Sequence, residues 1–98
     1  MKKIFRLQEE NKHPDRVVEG IKHEIRKYLK RERGKKLPEE FHFWEFACRF
    51  GKSAEEAVSI HQNELLPHLD TAHHEKWEQC YIEIIAHASK KATVEPKE

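Results

Sequence analysis

The stretch that decides the fold is "PDRVVEGIKHEIRKYLKRERG", residues 14–34. Pro14 suits the first turn of an α-helix and Gly34 follows the last turn, so both ends of a helix are marked. Apolar residues recur between them at the spacing of one helix face: Val17, Val18, Ile21, Ile25, Tyr28 and Leu29. The pattern predicts a core helix between Pro14 and Gly34.

Three segments around this helix alternate apolar and polar residues, which is typical of strands. "KKIFRLQ" (2–8) is a short one that points Phe5 and Leu7 to one side. "FHFWEFACRF" (41–50) and "QCYIEIIAHA" (79–88) are longer. Their predicted inner faces are His42, Trp44, Phe46, Cys48 and Phe50 in the first, and Cys80, Ile82, Ile84 and Ala86 in the second.

The segment between these two longer strands is ambiguous. Ser53 with Glu56 has the spacing of a capping box, which starts a helix, whereas "VSIH" (58–61) is β-branched and alternating. We predict one helical turn at 54–57, a strand at 58–61 and, with a second start signal at Asn63, a helix from 64 to about 76. Its predicted inward residues are Leu65, Leu66, Leu69, Ala72 and His73.

The resulting order is β-α-β-β-α-β, which indicates an α+β, ferredoxin-like two-layer sandwich. Two helices then cover one face of a four-stranded antiparallel sheet, and the other face is open. If residues 53–61 are helical instead, the alternative is a three-stranded sheet with three helices.

Composition agrees with one small charged domain. Hydrophobic residues make up 37% of the chain and charged residues 38%, and the apolar residues are clustered and periodic. We predict a domain over residues 1–87 and a flexible tail at 88–98. No apolar run resembles a signal peptide or a membrane span, so we expect a cytoplasmic protein without membrane contact, with Cys48 and Cys80 as free core thiols. In a ferredoxin-like sheet these cysteines occupy opposite edge strands, too far apart for a disulfide.

Four segments in combination resemble a family of small uncharacterised bacterial proteins of about this length. They are "IKHEIRKYLKRER" (21–33), "LPEEFHFWEFACRFG" (37–51), "SIHQNEL" (59–65) and "YIEIIA" (81–86). The resemblance runs from residue 1 to about residue 87. It implies a bacterial, cytoplasmic source, and because the family has no assigned activity it implies no functional residue.

The sequence offers no recognisable catalytic constellation, so we expect a protein that is not an enzyme and holds no cofactor or metal. The three glycines are isolated, which excludes phosphate-binding glycine loops. No two histidines have the i, i+4 spacing of helical metal ligands. Asp70 and His74 have it, but they suit a pair on a helix surface. Cys48 alternates with aromatic residues, which favours core packing over nucleophilic catalysis.

The charge distribution is the main functional signal. Residues 1–36 carry a net charge of +7 and residues 37–98 carry −6. On the helix, Lys22, Arg26, Lys30 and Arg33 form a stripe along one flank of the apolar face, while Lys27 and Arg31 line the other. Either this is a solvated helix face, with Glu19 paired to Lys22, Glu24 to Lys27 and the acidic half docked on it, or it contacts nucleic acid. The predicted phosphate contacts are Lys22, Arg26, Lys30, Arg33, Lys35 and Lys36.

The open face of the predicted sheet gives the alternative function. Its expected residues mix aromatic, apolar and charged types: Arg6, Phe43, Glu45, Arg49, His61, Tyr81, Glu83 and Ile85. Exposed aromatic residues on a sheet can stack on bases, but two carboxylates disfavour a ligand rich in phosphate. The cluster of Phe43, His61, Tyr81 and Ile85 fits a homodimer or protein-partner interface without a nucleic-acid role.

Overall fold

The computed structural model describes residues 1–90, which form four strands, two α-helices and one 3₁₀ turn. The strands are β1 (Lys2–Arg6), β2 (Phe43–Gly51), β3 (Val58–Ile60) and β4 (Gln79–Ser89), and the helices are α1 (Pro14–Arg33) and α2 (Leu65–His74). The 3₁₀ turn, Gln62–Glu64, precedes α2. Of the predicted tail, Ala88 and Ser89 belong to β4, and residues 91–98 lie outside the described part of the chain.

The four strands form one antiparallel sheet in the order β1-β4-β2-β3. β4 lies between β1 and β2 and is antiparallel to both, so β1 and β2 run in the same direction. By the same reasoning β3 and β4 are parallel, with β2 between them. Each helix therefore connects two parallel strands that are separated by one antiparallel strand.

This strand order corrects the ferredoxin-like prediction, in which β2 and β4 are the edge strands. Here they are the two central strands. A central position suits β4, because its inner side chains are the most deeply buried in the sheet: Cys80, Ile82 and Ile84 are all 0% exposed. In β1, by contrast, three of the five residues are Lys or Arg. A short charged strand suits an edge, where one side meets water. The three-stranded alternative is also wrong for residues 1–90.

Both helices pack on the same face of the sheet. One continuous core joins the buried face of α1, the buried face of α2 and the inner residues of the strands. The buried residues of α1 are Val17, Val18, Ile21 and Ile25, and those of α2 are Leu65, Leu69 and Ala72. The inner faces predicted for β2 and β4 are confirmed at Phe46, Cys48, Phe50, Cys80, Ile82 and Ile84, which are all buried.

The chain reverses direction between β2 and β3 through a tight turn at residues 54–56. Ser53 Oγ accepts a hydrogen bond from the backbone N–H of Glu56 at 3.2 Å, so the predicted single turn at 54–57 is present as a turn and does not extend into a helix. Gly51 is needed here, because a Cβ at this position would lie 2.6 Å from the Cα of Ala57. The turn leads directly into β3.

The 3₁₀ turn that precedes α2 is capped by a residue that the sequence did not indicate. His61 Nδ1 accepts from the backbone N–H of Asn63 at 3.0 Å, and Glu64 Oε1 accepts from the N–H of His61 at 2.8 Å. The two bonds form a capping box. Histidine is not among the favoured capping residues, so Asn63 was the better candidate from sequence alone.

The two cysteines lie on neighbouring strands, not on opposite edges as predicted. Both are free and buried. Cys48 faces Ile84 across the β2–β4 ladder, so Cys80 is four residues further along β4. That offset is about 13 Å along a strand, well beyond the reach of a disulfide.

Adjacent isoleucines on β4 test this placement of the core. Ile84 is 0% exposed and Ile85 is 40% exposed. Ile84→Ala should lower the free energy of unfolding by about 2–5 kcal/mol because it leaves a cavity. Ile85→Ala should lower it by less than about 1 kcal/mol. Urea unfolding measures both, and equal losses would contradict the assigned faces of β4.

Candidate nucleic-acid interface

The candidate interface lies at the C-terminal end of α1 and in the loop that follows it. Residues 26–36, here called the basic end, contain seven Lys or Arg and one carboxylate, Glu32. The seven are Arg26, Lys27, Lys30, Arg31, Arg33, Lys35 and Lys36, and all are exposed. Cations in the last turn of a helix interact favourably with its dipole, which accounts locally for Lys30, Arg31 and Arg33.

Lys22, the first member of the predicted stripe, is not available in the same way. Its Nζ lies 2.7 Å from Asp70 Oδ1 of α2 and 3.7 Å from Glu19 Oε2, and its side chain is 13% exposed. The hydrogen bond to Asp70 is the main cause that raises the pKa of Lys22. The ammonium therefore joins α1 to α2. Asp70 thus pairs with Lys22 and not, as expected, with His74.

Two cations of the basic end are held over aromatic rings. The guanidinium of Arg33 lies 5.5 Å from the ring centroid of Phe46, and that of Arg31 lies 5.7 Å from the centroid of Tyr28. Such cation–π contacts orient a long side chain while its N–H groups stay in water. Both guanidinium groups are therefore positioned, and still free to bind an anion.

Arg26 and Arg33 also flank a groove of about 280 Å³ between α1 and the start of α2. Gln62 and Asn63 line its opposite side, and Leu29 and Leu66 contribute apolar walls. The groove thus combines guanidinium groups with side-chain amides.

The loop after α1 is fixed by two interactions. The indole N–H of Trp44 donates to the carbonyl of Lys35 at 3.0 Å, and Lys35 Nζ lies 2.9 Å from Glu32 Oε2. Lys35 is consequently the one cation of the basic end with an ion pair to a carboxylate among residues 1–90. Glu24, expected to pair with Lys27, instead binds Lys3 at 2.9 Å.

Between residues 37 and 90, the acidic second half of the chain covers little of this surface. Across residues 1–90, the one ion pair between a Lys or Arg of residues 1–36 and a carboxylate of the second half is Lys22–Asp70. Of the predicted phosphate contacts, Arg26, Lys30, Arg33, Lys35 and Lys36 lie together at the basic end, and Lys22 stands apart beside α2.

The open sheet face carries a hydrogen-bonded charge network. Tyr81 O–H donates to Glu83 Oε1 at 2.8 Å, and Arg49 Nη1 lies 3.3 Å from the same oxygen. Arg49 also donates to the carbonyl of Ala57 at 2.9 Å. Tyr81 is only 8% exposed, contrary to the exposed position expected for it. Its ring therefore offers little surface to a base or to a second chain.

The other predicted members of that face are dispersed. Phe43 is half-buried at the start of β2, and Ile85 is exposed near the middle of β4. His61 lies past the end of β3, where it caps the 3₁₀ turn. Between them, Glu45 accepts hydrogen bonds from Ser89 Oγ at 2.6 Å and from His87 Nε2 at 3.2 Å.

The described residues give little support to cysteine catalysis, metal binding or membrane insertion. Burial raises the pKa of the Cys48 thiol to about 11 and that of Cys80 to about 12, so both are protonated and poor nucleophiles at neutral pH. Within residues 1–90 no three His, Cys, Asp or Glu side chains are grouped to hold a metal ion. In the same part of the chain no helix has the length and apolar character needed to cross a membrane.

Together, these features define a small α+β protein with a four-stranded antiparallel sheet, two helices on one face and a concentrated basic surface. The chain belongs to the family of unknown function DUF6172, whose model matches residues 1–95. No curated protein matches the chain. No solved structure matches it either.

The charge network of the open face predicts a pH effect. The hydrogen bond from Tyr81 is the main cause that lowers the pKa of Glu83. A carboxyl group whose pKa is lower in the folded chain than in the unfolded chain stabilises the fold at pH values above its unfolded-state pKa. That stability is lost as the pH falls through the folded-state pKa. Tyr81→Phe should therefore raise the pKa of Glu83 towards its ordinary value and reduce this acid-sensitive stability.

An NMR titration of the carboxyl carbons measures this shift. Glu45 is the internal control, because its own lowered pKa arises from Ser89 and His87 and should not respond to Tyr81→Phe. An unchanged Glu83 titration in Tyr81→Phe would show that the hydrogen bond is not formed in solution.

Proposed function

We propose that the protein binds single-stranded RNA or DNA through the basic end, residues 26–36. The observation that carries the proposal is the lack of acidic cover among the described residues. The seven cations are exposed, and one of them, Lys35, has a carboxylate partner among residues 1–90. A concentrated positive surface binds a polyanion by releasing condensed counterions, which makes the affinity depend on salt.

The spacing of the cations suits a phosphate backbone. Arg26 and Lys30 are separated by a rise of about 6 Å along α1, and Lys30 and Arg33 by about 4.5 Å. Steps of this size approach the distance between successive phosphates of an extended strand, so neighbouring cations can contact neighbouring phosphates. The groove beside Arg26 and Arg33 adds the amides of Gln62 and Asn63, which can hydrogen-bond to base edges.

A membrane surface is a less suitable ligand for the basic end. Peripheral helices insert large apolar side chains beside their cations. The exposed large apolar residues of the described chain are Ile4, Phe41, Val58 and Ile85, and none belongs to residues 26–36. The basic end therefore offers charge without an apolar anchor, as is usual for binding to a nucleic-acid backbone.

The role we propose is binding without catalysis. The two buried thiols are protonated, and the carboxylates of the open sheet face are held by Arg49, Tyr81, His87 and Ser89. The interaction role suggested for the open sheet face has weaker support, because Tyr81 is covered and the face is occupied by paired charges.

The direct test is the salt dependence of oligonucleotide binding, followed by the fluorescence anisotropy of labelled single-stranded RNA and DNA. The triple variant Arg26→Gln/Lys30→Gln/Arg33→Gln should reduce the slope of log affinity against log salt by about 2, since each lost phosphate contact on a single strand removes about 0.7. The affinity at low salt should fall by at least about tenfold.

A charge-matched control separates a local contact from a general effect of net charge. Lys2→Gln/Lys52→Gln/Lys76→Gln removes the same charge from exposed positions away from the basic end. It should keep the parent slope. Equal losses in both triple variants, or no binding by the parent protein at low salt, would refute the proposal.

A further inference from the structure

The outer edge of β1 has unpaired backbone groups. Leu7 N–H donates to the carbonyl of Glu78, and Ile84 N–H donates to the carbonyl of Met1, each at 2.8 Å. Residues of an antiparallel strand alternate between bonding to one neighbour and pointing away from it. The backbone N–H and C=O groups of Lys3 and Phe5 therefore also face β4. Those of Lys2, Ile4 and Arg6 point outward, away from the sheet. Among residues 1–90 these outward groups have no hydrogen-bond partner.

A groove of about 330 Å³ runs along this edge, between β1 and α1. Four consecutive residues of β1, 3–6, line it. Alternate side chains of a strand point to opposite faces, so four consecutive residues can line one groove only if it follows the edge of the strand. The groove thus exposes the outward backbone groups of β1 to an incoming chain.

The opposite wall is one face of α1, which includes Arg16, Val17 and Gly20. Gly20 is an unusual choice for the interior of a helix. A Cβ at this position would meet nothing within 4 Å, so no packing constraint in the described chain requires glycine there. Because glycine has no side chain, it leaves space in the groove between α1 and the edge of β1.

The charges of the groove favour an acidic occupant. Lys3 pairs with Glu24 at 2.9 Å, and Lys12 pairs with Glu9 at 3.8 Å. Arg6 and Arg16 have no carboxylate partner in the described chain, so the groove has an unbalanced positive charge. On β1 itself, exposed Ile4 lies between the cations Lys2 and Arg6.

We propose that this groove binds an extended acidic segment of another protein, which adds to the sheet as a fifth strand beside β1. In an antiparallel arrangement centred on Ile4, the added strand places an apolar residue opposite Ile4 and carboxylates opposite Lys2 and Arg6. A second copy of β1 fits less well, because the same register sets Lys2 of one copy against Arg6 of the other, and like charges repel.

The test uses a labelled peptide, Ser-Glu-Thr-Val-Thr-Glu-Ser, and a control peptide with Lys in place of both Glu. We expect the acidic peptide to bind and the basic one not to bind. In ¹⁵N NMR spectra, the amides of Ile4 and Arg6 should exchange slowly with solvent only in the complex, whereas those of Lys3 and Phe5 are slow in both states. This pattern is specific to strand addition.

Two variants block the groove by different means. Ile4→Pro removes an outward N–H without breaking the β1–β4 ladder, and Gly20→Gln fills the groove from the helix side. Each variant should lower the affinity for the acidic peptide by at least about tenfold. His23→Gln, on the exposed face of the same helix, is the matched control and should bind like the parent.

Three results would overturn the proposal. The first is no saturable binding of the acidic peptide up to about 1 mM, and the second is NMR chemical-shift changes confined to the basic end. The third is a parent dimer that Ile4→Pro dissociates, which would assign the edge to a second copy. The groove and the basic end share no residue, so the failure of one proposal does not affect the other.

Discussion

The structure depends on the insertion of β4 between β1 and β2. β4 is the last strand of the described residues and bonds to both neighbours, so the four-stranded sheet is complete only when it is in place. Its inner residues Cys80, Ile82 and Ile84 are fully buried, and they supply the surface on which both helices pack. The apolar face of α1 is therefore directed at the sheet, and its charged face is directed at solvent.

This arrangement keeps the two oppositely charged halves of the chain apart. Glu45 and Glu83 lie on the open face of the sheet, on the side opposite α1, and each is satisfied there by neighbouring side chains. Asp70 on α2 is the one carboxylate of the second half that reaches a cation of α1 in the described chain. Within residues 1–90 the basic end consequently has no carboxylate of the second half paired to it. The same strand order leaves β1 at an edge, beside the groove that separates it from α1.

Local patterns predicted the elements because helix and strand periodicities are short-range properties. The bounds of α1 and most of the inner faces of β2 and β4 follow directly from them, although His42, predicted to point inward, is exposed before β2 begins. Strand order does not, because it depends on which strand must bury more surface, although the three cations of β1 were a signal for an edge. The pairing of Lys22 with Asp70 and the burial of Tyr81 arise from contacts between distant segments, which no spacing in the sequence encodes.

The most direct test of the account is to map where an oligonucleotide contacts the folded chain. A ¹⁵N NMR titration with a single-stranded oligonucleotide of about ten nucleotides would report on every backbone amide and on the arginine side chains. We predict shifts concentrated in residues 26–36, with the side-chain N–H groups of Arg26 and Arg33 among the most affected. Shifts centred on Phe43 and Ile85 of the open sheet face, or no shifts at low salt, would contradict it.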